Sequence, residues 1–446
     1  MFKYPQKPVH IQLPIQNFEA QETIFSQKSR YTVVPKGRRF GLTKGAANDF
    51  ILSALEKKFS KGLWIDTVNT NIDRYIERYF LPHLKKLPQD WWSWRKQDKI
   101  VMITGAYIDF RSSDRPENIE GFGYDKFFIN EAGIVLKDPY LWSNAIRPML
   151  WDYKARGVIG GTPKGKGVFF ELAEKGWKPN DMYTTLRFSS FNNPYLDQQL
   201  IKDEIKDMPE RVVLQEIYAQ FLDDSGIVFR KVKDIMNATP QGPVMDHIYV
   251  IGVDLAKVTD FTVITVYDRT NNCQVYQDRF NTLDWNLQKA KIKAVSKHYN
   301  NALCIVDATG IGDPIVDDLV RAGVPVEPIK LTNEQKKEMI EKLIIWIEQK
   351  KIWMLPLDDT LKEFTNFTYD ISITGKTRYS APEGLHDDIV ISHSLAIWAL
   401  NPLYQAIKQR EDTLIEKIYK EQLSGRTKQN YAEYNPSSID FEQLED

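Results

Sequence analysis

The run YTVVPKGRRFGLTKGAANDFILSAL, residues 31–55, constrains the fold of this chain more than any other stretch. Four β-prone residues lead into a loop with two glycines, and apolar residues at helical spacing follow. The expected unit is therefore strand, tight loop, helix. A glycine loop that opens a helix presents backbone N–H groups and the positive end of the helix, which together cradle an anion. The usual phosphate-loop spelling, G-x-x-x-x-G-K-[ST], aligns with Lys36 through Thr43. Gly41 and Thr43 keep the last glycine and the hydroxyl, whereas Lys36 replaces the first glycine and Leu42 replaces the lysine. Positive charge comes from Lys36, Arg38, Arg39 and Lys44, with Gly37 inside the loop. Three readings stay open at this point: a working loop with its charge relocated, a basic surface turn, or a decayed nucleotide site.

Strand and helix signals then alternate. LWIDTV, KIVMITG, AYIDFRSS, DKFFIN, GVIGG and MYTTLRF read as strands, and a helix through 71–87 is expected to bend or break at Pro82. That alternation predicts a mainly parallel α/β sheet. Two helices with a break at Pro209 follow. A second α/β pattern runs from HIYVIGVDLA through FTVITVYD, CQVYQDRF, a helix at 286–299 and ALCIVDATG to a helix in DDIVISHSLAIWAL. The expected organisation is a first domain at 1–221, a linker at 222–240, a second domain at 241–402, and a helical and acidic, partly mobile tail at 403–446.

DKFFINEAG ends a hydrophobic strand in Asn130 and Glu131. A strand-end acidic pair after a phosphate loop holds magnesium with its first member and orients or deprotonates water with its second. Here the first is an amide, whose oxygen can still accept from a magnesium-bound water without bringing charge. GVIGGTPKGKG delivers Thr162 near the same place, with Lys164 and Lys166 beyond it.

In the second half Asp254 and Asp307 end hydrophobic strands, Asp387 and Asp388 open a helix, and Asp260, six residues after Asp254, can reach the same space from the following turn. Clustered carboxylates stay ionised together only when cations neutralise them, and oxygen-only ligands favour magnesium or manganese. Two such ions about 3.5–4 Å apart activate water and stabilise a leaving oxygen in phosphodiester cleavage. His386 can position a phosphate or water, or cap the helix.

The net charge of −1 gives no overall attraction to nucleic acid, so any such contact needs local basic patches. Two cysteines without a His/Cys cluster fit a reducing compartment and exclude a thiolate zinc site. No membrane span or signal peptide is read.

The ordered set FEAQETIF, KGRRFGLT, FFINEA, IGGTPKG and FNNPYL resembles the ATPase domain of large terminase subunits, the DNA-packaging motors of tailed phages. Some terminases are similar in carrying the loop lysine at its amino end, as at Lys36. The carboxylate pattern resembles the RNase H-like nuclease domain that follows in that family. The resemblance covers roughly residues 15–400. It implies a P-loop (ASCE-type) ATPase in which ATP with magnesium binds between the loop at 36–43 and a neighbouring subunit, and Gln21 would contact adenine. It also implies an arginine finger, with Arg111 and Arg115 as candidates, and a mixed-sheet nuclease. There Asp254, Asp307 and one or both of Asp387 and Asp388 would bind two magnesium or manganese ions, with Asp260 within reach. The partners implied are double-stranded DNA, a portal, a small terminase subunit and further copies of the chain, commonly five when docked. The place implied is the host cytoplasm, with transient residence at the procapsid portal vertex. The rival reading is a metal-dependent nuclease, or a repair helicase-nuclease, whose first domain is a decayed ATP site.

Overall fold

A computed structural model describes residues 13–95, 99–114, 119, 121–222, 226–255, 261–309, 313–371, 377–382 and 384–400. Arg115, Asp260 and the tail at 403–446 lie outside the described residues. The chain forms two compact units. One comprises 1–233, 336–350 and 361–385, and the other 234–335, 351–360 and 386–446. The first passage between them falls inside 222–240, but the division is not a single cut, because two later segments belong to the first unit.

The first unit is built on eight strands: β1 Tyr31–Pro35, β2 Lys61–Asp66, β3 Trp92–Trp94, β4 Lys99–Met102, β5 Tyr107–Ser112, β6 Lys126–Ile129, β7 Arg156–Gly161 and β8 Tyr183–Thr185. Their order is β3-β4-β5-β2-β6-β7-β1-β8. The β3–β4 and β4–β5 pairs are antiparallel and the others are parallel. The central strands are apolar on both faces, as a sheet covered on two sides requires. Val33, Leu63, Ile65, Phe127, Ile129 and Ile159 enter one buried cluster. Their alternates Val34, Trp64, Phe128 and Val158 enter the other. The helix is irregular just before Pro82: a π-helical turn at Ile76–Phe80 precedes the helix Leu81–Leu84. A wide turn there accommodates a ring that cannot donate and crowds the carbonyl before it.

The second unit carries a mixed sheet of β9 Tyr249–Asp254, β10 Thr262–Asp268, β11 Cys273–Phe280, β12 Leu303–Asp307 and β13 Val326–Ile329. The order is β11-β10-β9-β12-β13, with β9, β12 and β13 parallel and β10 antiparallel to both neighbours. The apolar helix Asp388–Leu400 packs closely on one face. Ser392 Oγ donates to Gly252 O at 2.9 Å and meets Thr265 Oγ1 at 2.8 Å. No helix among the described residues is long and apolar enough to cross a membrane.

Candidate phosphate-loop and carboxylate sites

The C-terminal ends of β2, β6, β7 and β1 stand side by side in that order. Ligands of open α/β sheets bind outside such carboxyl ends. Each of these four strands delivers a polar side chain to this edge, at or just past its end: Asp66, Asn130 with Glu131, Thr162 and Lys36.

The loop after β1 is braced from outside. Ser190 Oγ donates to Arg38 O, and Asn193 Nδ2 to Arg39 O, both at 2.7 Å. Gln21 Nε2 donates to Gly41 O at 2.7 Å. Holding the Arg38 and Gly41 carbonyls outward turns the adjoining N–H groups of Arg39 and Leu42 the other way, the orientation an anion cradle needs. Gly37 permits the close bracing, since a Cβ there would stand 2.3 Å from Ile217 O and 2.5 Å from Ser190 N. Gly41 caps the helix Leu42–Leu55 with φ 95°, a left-handed turn that suits glycine.

Lys36 is buried, and its Nζ lies 3.1 Å from Glu131 Oε1 and 3.3 Å from Thr162 Oγ1. The lysine at the amino end of the loop therefore occupies the centre of the site. Leu42, at the position a lysine usually takes, is 1% exposed. A Cβ on Gly160 of β7 would meet its Cδ2 at 2.2 Å, so position 42 is part of the core. Thr43 Oγ1 donates to Asn130 Oδ1 at 3.2 Å. Asn130 Nδ2 donates in turn to Asp66 Oδ2 at 2.7 Å. Thr43 and Asn130 offer paired neutral oxygens, a donor set suited to magnesium and its waters.

Glu131 adopts φ 48° and ψ 45°, rare for a long side chain. This turn brings its carboxylate to Lys36. β7 accommodates it through Gly161, where a Cβ would come within 2.5 Å of Ala132 N.

Several expected site residues have other partners. Arg38 is exposed and pairs with Glu216, which also pairs with Lys164. Burial pushes the Glu216 carboxyl up, but the two cations outweigh it and hold the group at about 2. Arg39 is exposed, with φ 61°. Gln21 engages both ends of its amide, since its Oε1 accepts from Phe18 N at 3.2 Å. Arg111 is paired within its own strand, to Asp109 Oδ2 at 2.9 Å. The same oxygen accepts from Tyr124 O–H at 2.5 Å.

Sequence reading missed Asp66 and Glu216. Asp66 ends LWID, the same hydrophobic-strand-then-acid signal carried by CIVD, and could have been found by it. Burial pushes its carboxyl up to about 6, against the hydrogen bonds from Asn130 and Thr67. Glu216 has no such signal.

In the second unit, the register pairs Val306 with Val253, so the next residues, Asp307 and Asp254, end adjacent parallel strands. Asp254 shares a sheet face with Gly252, on which Ser392 rests, and Asp388 lies one helical turn before Ser392. Three carboxylate-bearing positions thus converge on one sheet end. Among the described residues, however, no group of three or more His, Cys, Asp or Glu side chains stands close enough to hold a metal ion. Asp388 Oδ2 instead accepts from Phe261 N at 3.2 Å and lies 3.7 Å from His386 Nδ1. Asp307 Oδ1 accepts from Thr309 N at 2.7 Å. The donor chemistry fits a hard divalent cation, while Asp307 and Asp388 accept from backbone N–H groups.

A family model described as Terminase RNaseH-like domain matches residues 251–400. Two curated proteins, each called terminase, large subunit, from Thermus virus P23-45 and Thermus phage G20c, are 28% identical to this chain over 436 residues. Each alignment covers 87% of this chain and 87% of the relative. A crystal structure of the large terminase nuclease from thermophilic phage G20c with bound magnesium is 29% identical. It covers 39% of this chain and 97% of its own, with a TM-score of 0.37.

Proposed function

We propose, on the premise that this chain belongs to the large terminase subunits, how its two sites serve a DNA-packaging motor that hydrolyses ATP and cuts DNA. The first unit would drive duplex DNA into a procapsid, and the second would cut concatemeric DNA. One observation carries the ATPase half. Lys36 Nζ reaches Glu131 and Thr162 together, which supports a working loop whose cation has moved to its amino end.

With magnesium, bound ATP supplies the phosphoanhydride whose hydrolysis powers the motor. Lys36 and the N–H groups of Arg39 and Leu42 would hold its phosphates. Thr43 and Asn130 would hold magnesium or its waters. Glu131 accepts a proton from the attacking water through its carboxylate, which Lys36 orients. Thr162, touching Lys36, links occupancy of the loop to the β7 segment and so to a DNA-gripping surface. Arg111, which pairs with Asp109 within its own strand, and Arg115 are the candidates for a finger toward a neighbouring subunit.

In the second unit Asp254, Asp307 and one or both of Asp387 and Asp388 would hold magnesium or manganese, with Asp260 within reach along the chain. A pair of such ions, when bound, activates water and stabilises the leaving oxygen. A ring of copies, commonly five, on a portal, with a small terminase subunit, completes the proposal.

ATP turnover by the purified protein, with and without linear duplex DNA, beside Glu131→Gln, tests it. DNA-responsive turnover that the variant loses is the expected result. No turnover by either protein, with a portal present as well, would overturn the motor reading.

A further inference from the structure

Asn130 carries no charge where a magnesium-binding strand end ordinarily carries one, yet the buried neighbourhood is not neutral. Asp66 ends β2 directly beside it. Ile65 pairs with Ile129, so the two following residues are adjacent on parallel strands. Asp66 is 0% exposed and Asn130 is 0% exposed. Asp66 Oδ1 accepts from Thr67 N at 2.7 Å and from Thr67 Oγ1 at 3.2 Å, which fixes the carboxylate plane. Oδ2 faces Asn130 Nδ2 at 2.7 Å. An ionised carboxylate only accepts, so it can meet the N–H₂ end of the amide and not the oxygen end. The Asn130 oxygen must then point the other way, toward Thr43 Oγ1 at 3.2 Å.

We propose that Asp66 is the positioning carboxylate of the magnesium site: through Asn130 it aims the amide oxygen at the metal position beside Thr43 and supplies the negative charge that the amide lacks. The inference rests on the ATPase reading above. The charge has moved one strand over, just as the loop's cation has moved from position 42 to position 36. Partners one shell behind a metal ligand orient it and raise its basicity, and losing them typically costs about 10–100-fold in metal affinity.

The test measures binding of a fluorescent ATP analogue to the full chain across a magnesium titration, for wild type, Asp66→Asn, and the exchange variant Asp66→Asn/Asn130→Asp. Asp66→Asn is expected to raise the magnesium concentration at half-saturation at least about tenfold while leaving magnesium-free nucleotide binding within about twofold. The exchange variant keeps one carboxylate and one amide across the same hydrogen bond and is expected to return to within about threefold of wild type. A purely structural role for Asp66 would lower both modes of binding together. Unchanged magnesium dependence in Asp66→Asn overturns the proposal. If Asp66→Asn does not fold, the exchange variant decides: a loss of about tenfold or more overturns it, and recovery supports it. Wild type that binds no nucleotide with or without magnesium would instead overturn the ATPase reading itself.

Discussion

The two candidate sites of this chain are charged in opposite ways. In the first, Lys36 faces Glu131, and Arg38 and Lys164 flank Glu216, so each of these cations has a carboxylate partner. In the second, Asp254, Asp307 and Asp388 approach one sheet end with one sign of charge, and among the described residues they do not close into a metal-holding group. A mixed-sign site is held in register by its own attractions. A single-sign site repels itself and needs a cation to draw its ligands together. The fold alone therefore sets the side-chain geometry of the first site, but only the backbone positions of the second.

The largest expected effect is in the carboxylate site. Asp307→Asn should reduce metal-dependent cutting of plasmid DNA below detection while ATP turnover stays within about twofold; surviving cleavage would mean the metal ligands lie elsewhere. Next comes the loop. Lys36→Ala should lower ATP turnover about 100- to 1,000-fold, the loss typical of one key donor, with cutting unaffected. Adding Leu42→Lys should not rescue it. The side chain at 42 lies in the core, and an ammonium there costs stability. Rescue in a phosphate-release assay would show that the loop tolerates either lysine position.

Acid should separate the units. His393, buried in the second unit between Tyr267 O–H at 2.8 Å and Gln277 Oε1 at 3.0 Å, is pushed down to about 3 by burial. Its pKa in the unfolded chain is about 6.5, so the unfolded state binds a proton that the folded state refuses. The second unit should lose stability as pH falls from about 6.5 toward 3, by as much as a few kcal/mol. Glu216 behaves differently. Held at about 2, against an unfolded value of about 4.3, it contributes stability above pH 4.3 that is lost only as pH falls toward 2. Thermal melts between pH 7 and 4 should show the second unit's transition moving first, and His393→Gln should blunt that shift. Simultaneous loss of both units above pH 5 would contradict this assignment.

The smallest effect belongs to the bracing. Ser190→Ala removes the hydroxyl that holds Arg38 O and should cost about 1 kcal/mol in a denaturant melt. Its effect on KM for ATP should be only a few-fold; a collapse in turnover would mean that the brace sets the catalytic geometry itself.

Much of the architecture was legible in the residues. Short continuous apolar runs ending in Asp, Asn or Gly marked β2, β6, β7, β9 and β12. The glycine loop marked the start of the helix Leu42–Leu55. The alternation of elements implied one mainly parallel sheet, followed by a second α/β pattern. These are local properties, written in spacings of two to four residues, and neighbouring side chains decide them. Which strand ends stand together is not local.

Only the tertiary structure sets β2 beside β6, so that Asp66 meets Asn130 across 64 residues of sequence. It also turns Leu42 into the core against Gly160 and brings Lys36 to Glu131 and Thr162. From 178 residues away it brings Glu216 to Arg38, while Gln21 is fixed on Gly41. Local residue patterns set the elements and the kinds of side chain at their ends. The packing of strands from distant parts of the chain decided which charges face each other, because a side chain's electrostatic partner is set by proximity in space.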